Sequence, residues 1–175
     1  FMKIKRTKFK DLVVLKKDSF KDNRGYFREL FLQKIVKKKF IFDTMSFCKK
    51  NVLRGLHLQL KNPQGKYITV LQGKIFDIAL DLRKNSKTFG KHFSIILSGK
   101  ENTSIYIPEG FAHGYCTLEK NTIIHYKCTN YRDKNSERGI FWNDPKLKIK
   151  WPIKKPILSI RDRKNLNFKK FIKNW

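Results

Sequence analysis

The sequence contains no apolar run near the roughly 20 residues that a helix needs to cross a bilayer, so no membrane-spanning helix is expected. No signal peptide is expected, and the expected location is cytoplasmic. Phe1 ahead of Met2 is expected to be an appended residue, with Met2 the natural start. Cysteine is scarce. Cys48, Cys116 and Cys128 are odd in number and show no C-x-x-C spacing, which argues against a disulfide framework or a zinc site and for reduced thiols. Acidic residues are few: 14 Asp and Glu face 41 Lys and Arg, a net charge of +27. The excess is spread out, and "KKKF" (37–40) and "FKKFIKNW" (168–175) are short clusters rather than a long basic arm. Nucleic acid is therefore not the expected partner. A basic surface would instead draw an anionic small molecule toward its site. Low-complexity linkers, repeats and domain breaks are also missing.

What is present is globular. Of 175 residues, 40% are hydrophobic and 14% aromatic, enough for one domain over 1–175 with a real core. Apolar and polar residues alternate in strand style over 66–73, 74–83, 92–99, 103–110 and 122–131. Turn signals such as "NPQG", "SGKEN" and "PEG" separate them. Helices are expected only at "LFLQKIVKK" (30–38) and "NFKKFIKNW" (167–175). Many short strands with Gly/Pro turns predict an all-β sandwich or barrel such as a jelly roll, whose inward residues can converge on one ligand.

Four histidines must serve whatever chemistry there is. "PEGFAH" (108–113) fits the second half of the metal signature of cupin barrels, P-x-G-x-x-H. The first half needs H-x-H followed by Glu, and here His57 is followed by Leu58 and Gln59. No metal is expected on this count. His92 and His125 stand alone on strand patterns. His57, in "NVLRGLHLQ" (51–59), is the candidate general base, because imidazole titrates near neutrality. It needs a carboxylate to orient it, and Asp77, Asp81 and Asp162 are the candidates. Tyr126 in "IIHYK" could supply an acid, and Lys66 could stabilise an oxyanion. Spacing alone does not show that these residues converge.

Taken in order, "DNRGYFRE" (22–29), "NVLRGLHLQ" (51–59), "QGKYITVLQGKIFDIALDLRKNSKTFG" (64–90), "IPEGFAHGY" (107–115), "YKCTNY" (126–131), "WNDPKLKIKWP" (142–152) and "LSIRD" (158–162) resemble the dTDP-4-dehydrorhamnose 3,5-epimerase family. The resemblance implies a cupin-type jelly roll, a homodimer that exchanges N-terminal strands, and no metal or organic cofactor. It implies as substrate a nucleotide diphosphate 4-keto-6-deoxy hexose, inverted at C3 and C5. The 4-keto group acidifies both C–H bonds, since loss of either proton gives an enolate. A base on one face and an acid on the other then invert the centre. By the same resemblance His57 is the base, Asp162 its partner, Lys66 the enolate-stabilising cation and Tyr126 the opposite-face acid. Arg54 matches a diphosphate contact and His113 a histidine nearby, while Gln59 would line the sugar pocket. Asp77 matches a buried supporting acid, Tyr131 an aromatic beside the site and Arg161 a further diphosphate contact. Arg24, Phe27 and Glu29 match nucleotide contacts supplied by the partner subunit.

The chain departs from the family pattern where Phe42 and Thr44 replace amides, and where a tyrosine pair is Tyr131 and Arg132. These changes bear on the nucleotide base and the stereochemical outcome. One alternative is a single-centre epimerase or keto-isomerase acting on a dTDP-, GDP- or CDP-linked sugar. An alternative of another class is a non-catalytic barrel that binds anionic sugars or nucleic acid. A binding module would have no need of a base and an acid on opposite faces.

Overall fold

A computed structural model describes residues 2–173. Thirteen strands among these residues form two large antiparallel sheets and one hairpin. The first sheet runs β1 (Met2–Arg6), β2 (Val13–Lys17), β10 (Thr103–Ile107), β7 (Lys66–Gln72), β12 (Thr122–Cys128), β5 (Phe42–Cys48). The second runs β13 (Glu137–Gly139), β6 (Leu53–Gln59), β11 (Phe111–Thr117), β8 (Lys74–Asp81), β9 (His92–Ser98). The hairpin pairs β3 (Phe20–Asp22) with β4 (Gly25–Phe27) and joins neither sheet.

Strand alternation builds the core. Successive side chains point to opposite faces. Ile68 and Val70 of β7, Ile105 and Ile107 of β10 and Ile124 of β12 meet Ile75 and Ala79 of β8, Leu97 of β9 and Phe111 and Tyr115 of β11 between the sheets. By the same alternation Lys66 shares the inner face of β7, Tyr126 that of β12, and Phe42, Thr44, Ser46 and Cys48 that of β5. On β6, Leu56 and Leu58 face outward under Ile140, Leu147 and Phe171, so His57 and Gln59 face in. The C-terminal stretch thus covers the outside of the second sheet. Segment 28–40 covers the first, with Phe31 and Phe40 packed against Tyr67 and Tyr106.

The strands expected from alternation all form. The helix expected over 30–38 does not. That stretch is a turn in which Ile35 N–H donates to Leu32 O. The Leu30 carbonyl, which a helix would give to residue 34, accepts instead from Lys17 Nζ (2.6 Å) and Tyr67 Oη (3.0 Å). Two short helices close the chain. Helix α2 spans Phe168–Lys173 within the expected C-terminal helix, whose last two residues lie outside the described range, as does Phe1. Helix α1 (Ile160–Arg163) was not expected from the sequence.

Candidate active site

The two large sheets carry opposite walls of one inner space. His57 and His113 are register partners on β6 and β11, and Asp77 and Tyr115 are partners on β8 and β11. Facing them on the first sheet, Tyr126 lies between Ile68 of β7 and Thr44 of β5, and Lys66 pairs with Cys128 and Ile107. The base candidate and the acid candidate therefore come from different sheets.

Each of the three candidate carboxylates has a separate task. Asp162 Oδ1 lies 2.5 Å from His57 Nε2. It sits at the third position of α1, whose N-cap Ser159 accepts from the Asp162 N–H at 3.0 Å, so the "SIRD" cap fixes the carboxylate behind the imidazole. Asp162 is 2% exposed. Burial alone would raise its pKa, but the hydrogen bond and charge of His57 outweigh it and hold the carboxyl below its usual range. Asp77 Oδ2 takes the other inner histidine, 2.8 Å from His113 Nε2, and its Oδ1 is buried without a hydrogen-bond partner. Asp81 is engaged elsewhere: it accepts from Arg83, Ser86 and Thr88 and shapes the turn after β8.

Tyr126 Oη lies 3.1 Å from Ser46 Oγ, and burial pushes its phenol well above its ordinary pKa, so it holds its proton. Lys66 makes no ion pair among the described residues. Its electrostatic neighbours include Cys128, Glu137 and Asp77, and burial lowers its pKa. Arg54 is exposed, and its guanidinium lies beside Cys48, Tyr115 and Tyr126. Partial desolvation of the guanidinium opposes its charge, but those neighbours outweigh it and raise the pKa. Such an arrangement can take a proton on one side of a bound carbonyl compound, return one on the other, and steady negative charge between.

Other sequence-predicted residues fall into three groups. Gln59 is 6% exposed, and its amide is consumed by backbone: Nε2 donates to the Asn62 and Tyr131 carbonyls, and Oε1 accepts from Asp133 N–H. It therefore shapes the loop rather than presenting a free amide to the pocket. That loop presents Tyr131, 66% exposed, with its ring centroid 6.0 Å from that of Phe42. Arg161 donates to Glu137 Oε2 at 2.7 Å, and Arg132 reaches the same oxygen at 2.9 Å. Glu137 and the Arg132 contact to it were not among the predicted site residues, and "KNSERG" (134–139) carries no pattern that would single them out. Arg24, Phe27 and Glu29 stand apart. The exposed Arg24 pairs with Asp22, and Phe27 is 67% exposed. Arg28 ties this region to the Gly99 and Lys100 carbonyls, and Gly99 abuts Gln72. Gln72 is at the far end of β7 from Lys66, roughly 20 Å away at about 3.3 Å per residue. His125 pairs with Asp43 at 3.2 Å, an exposed contact, and no three His, Cys, Asp or Glu side chains gather as a metal-binding group among the described residues.

Fold and site together define a proton-transfer isomerase built on a jelly roll. The chain belongs to the dTDP-4-dehydrorhamnose 3,5-epimerase family, whose sequence model matches residues 6–170. It is 40% identical to the dTDP-4-dehydrorhamnose 3,5-epimerase of Shigella flexneri, over 98% of this chain and 97% of that one. Among solved structures it is similar to the Legionella pneumophila dTDP-6-deoxy-D-glucose-3,5-epimerase in complex with dTDP-4-keto-L-rhamnose, with a TM-score of 0.92, 37% identity, and coverage of 97% of this chain and 94% of that one. It is equally similar to the Bacillus anthracis dTDP-4-dehydrorhamnose 3,5-epimerase with TDP and PPi bound, with a TM-score of 0.92, 38% identity, and coverage of 96% and 100%. No helix among the described residues is long and apolar enough to cross a membrane.

Proposed function

We propose that the chain, acting as one cytoplasmic domain, inverts C3 and C5 of dTDP-4-dehydro-6-deoxy-D-glucose to give dTDP-4-dehydro-L-rhamnose. The observation that carries this reading is the pairing of His57, on one sheet, with Asp162 of helix α1, while Tyr126 stands on the facing sheet. His57 Nε2 is held by Asp162, so its other ring nitrogen is free to take the proton from carbon. The carboxylate keeps the ring oriented and stabilises the imidazolium that forms. Electrons from the broken C–H bond move onto the sugar's O4, where the Lys66 ammonium stabilises the enolate. Tyr126 then delivers its proton from the opposite face, and the centre inverts.

Binding follows from charge and placement. Arg54 holds the diphosphate at the pocket mouth, with His113 nearby, its imidazole fixed by Asp77. Arg161 and Arg132, gathered on Glu137, add positive charge on the same side. Tyr131 and Phe42 offer an aromatic surface to the base. The hairpin bearing Arg24 and Phe27, with Glu29 just beyond it, is anchored too far along the sheet to serve its own pocket. We infer that it serves the pocket of a second copy in a homodimer.

The test is incubation with dTDP- and GDP-linked 4-keto-6-deoxy-D-glucose in heavy water. The expected result is epimer from the dTDP sugar with deuterium at both C3 and C5. Deuterium at one centre only, or turnover of the GDP sugar alone, would overturn the assignment.

A further inference from the structure

Behind Tyr126 lies a set of hydroxyls that the proton transfers above leave unused. Ser46 Oγ on β5 is 3.1 Å from Tyr126 Oη and 3.0 Å from Tyr115 Oη, so one serine bridges tyrosines from the two facing sheets. Tyr115 is 2% exposed and otherwise belongs to the apolar cluster between the sheets. A phenylalanine would fill that space, and burying a phenol there is costly unless its hydroxyl is bonded. Beyond it, Tyr115 Oη meets Cys48 Sγ at 3.6 Å, and the Arg54 guanidinium lies beside Cys48 and both tyrosines.

Hydroxyl arithmetic gives this set a direction. Ser46 has one hydrogen and two lone pairs. Bonded to both tyrosines, it donates to one and accepts from the other. When Tyr126 gives its proton to carbon it becomes a phenolate, the stronger acceptor, and the serine hydrogen turns toward it. The free lone pair then faces Tyr115. Inverting two centres during one visit also requires the donor to be reloaded while the sugar still covers it.

We propose that Ser46 and Tyr115 form a relay that aims the Tyr126 hydroxyl and restores its proton. The proton balance is closed. Tyr126 O–H breaks as the new C–H bond forms; Ser46 O–H breaks as Tyr126 O–H re-forms; Tyr115 O–H breaks as Ser46 O–H re-forms. Burial raises the Tyr115 phenol further than that of Tyr126, so the negative charge rests on Tyr115 only transiently and only because the Arg54 cation lies beside it, and it is neutralised by a proton from water once product leaves. Ser46 and Tyr115 are positioning residues in this scheme, acting on substrate only through Tyr126. The inference rests on Tyr126 being the donor.

The experiment compares wild type with Ser46→Ala, Ser46→Thr, Tyr115→Phe and Tyr126→Phe in heavy water. Each is scored for kcat, for KM, and for the ratio of deuterium entering unchanged substrate to epimer formed. A hydrogen bond to a developing phenolate is worth about tenfold or more in rate. Ser46→Ala and Tyr115→Phe should each lower kcat by about tenfold, leave KM in place and raise the exchange-to-epimer ratio. Ser46→Thr should restore both quantities. In a Tyr126→Phe background, Ser46→Ala should change nothing further. Wild-type kcat and ratio in both single variants would overturn the relay while leaving Tyr126 as donor. A fall in kcat with an unchanged ratio would also overturn it, because that is the pattern of a packing defect. Wild-type epimerisation by Tyr126→Phe would refute the donor assignment itself, and the relay with it.

Discussion

Lys66 shows how one half-buried residue sets a pH limit. Its charge is needed at the moment the enolate forms, and burial lowers its pKa from the usual lysine value. The charged form is therefore present at low and neutral pH and is lost as pH rises through that lowered value. The kcat/KM profile should turn down on its alkaline side below the ordinary lysine pKa of about 10.4. Lys66→Met should run about 10²–10³-fold slower, as for loss of an oxyanion donor, and should lack that alkaline limb. A rate profile for the methionine variant that keeps the same limb would assign it to another group. At this scale much was legible. His57, Lys66 and Tyr126 were candidates for proton chemistry by residue type, and the resemblance of the ordered motifs, rather than spacing, gave these residues, Arg54 and Asp162 their expected roles. The choice among Asp77, Asp81 and Asp162 was legible only through the family resemblance, which named Asp162; the residues alone left it open, because each lies on an element whose neighbours are remote in sequence. Tyr115 and Ser46 carried no signal, since hydroxyls on strands look alike until two sheets face each other.

Elements turn those residues into a site. Strand alternation was readable, because one face of each sheet is buried and the period-2 pattern follows. The 30–38 stretch misled because its apolar spacing suits a helix, yet Lys17 and Tyr67 from the underlying sheet compete for the Leu30 carbonyl. Helix α1 escaped notice because it is a single capped turn, too short for periodicity to register. Two predictions belong here. At Gly55 φ is +131°, and an added Cβ would lie 2.5 Å from Gly114 Cα, where β6 and β11 approach at a break in register. Gly55→Ala should cost about 2 kcal/mol or more and disturb Arg54 and His57. At Gly25 φ is +134° with nothing within 4 Å of an added Cβ, so Gly25→Ala should cost only roughly 1 kcal/mol. Denaturant titrations of both variants check the contrast, and equal losses would contradict it. Lys17 gives the second. Burial lowers its pKa to about 8, so between that value and the unfolded lysine pKa of about 10.4 the unfolded chain holds more protons. Stability should rise with pH across this window relative to Lys17→Met, by up to about 3 kcal/mol. A difference that is flat from pH 7.5 to 10 would count against the buried ammonium.

At the scale of the whole molecule, the β3–β4 hairpin makes the case for two copies. Phe20, Tyr26 and Phe27 are exposed on it, and among the described residues the hairpin joins neither large sheet. If each hairpin completes the other copy's pocket, activity should be recoverable from two inactive chains. A His57→Asn protomer keeps a sound hairpin, and an Arg24→Ala/Phe27→Ala protomer keeps a sound catalytic wall. Unfolded and refolded together, they should form mixed dimers with one intact site each, and epimerase activity should return toward a quarter of wild type, the yield of random pairing. No recovery from a mixture shown to contain mixed dimers would contradict exchange of the hairpin.

The central claim is that base and acid occupy opposite walls, and isotope partition in two variants tests it most directly. His57→Asn should form no enolate, so both deuterium uptake and epimer should fall by the ~10²–10⁴ that general-base help is typically worth. Tyr126→Phe fills nearly the same volume and should keep the fold. In that variant His57 can still take a proton, exchange it with heavy water and return a deuteron to the same face. Unchanged substrate should therefore gain deuterium at C3 or C5 while little epimer appears. Wild-type deuterium exchange by His57→Asn, or wild-type epimerisation by Tyr126→Phe, would contradict the account.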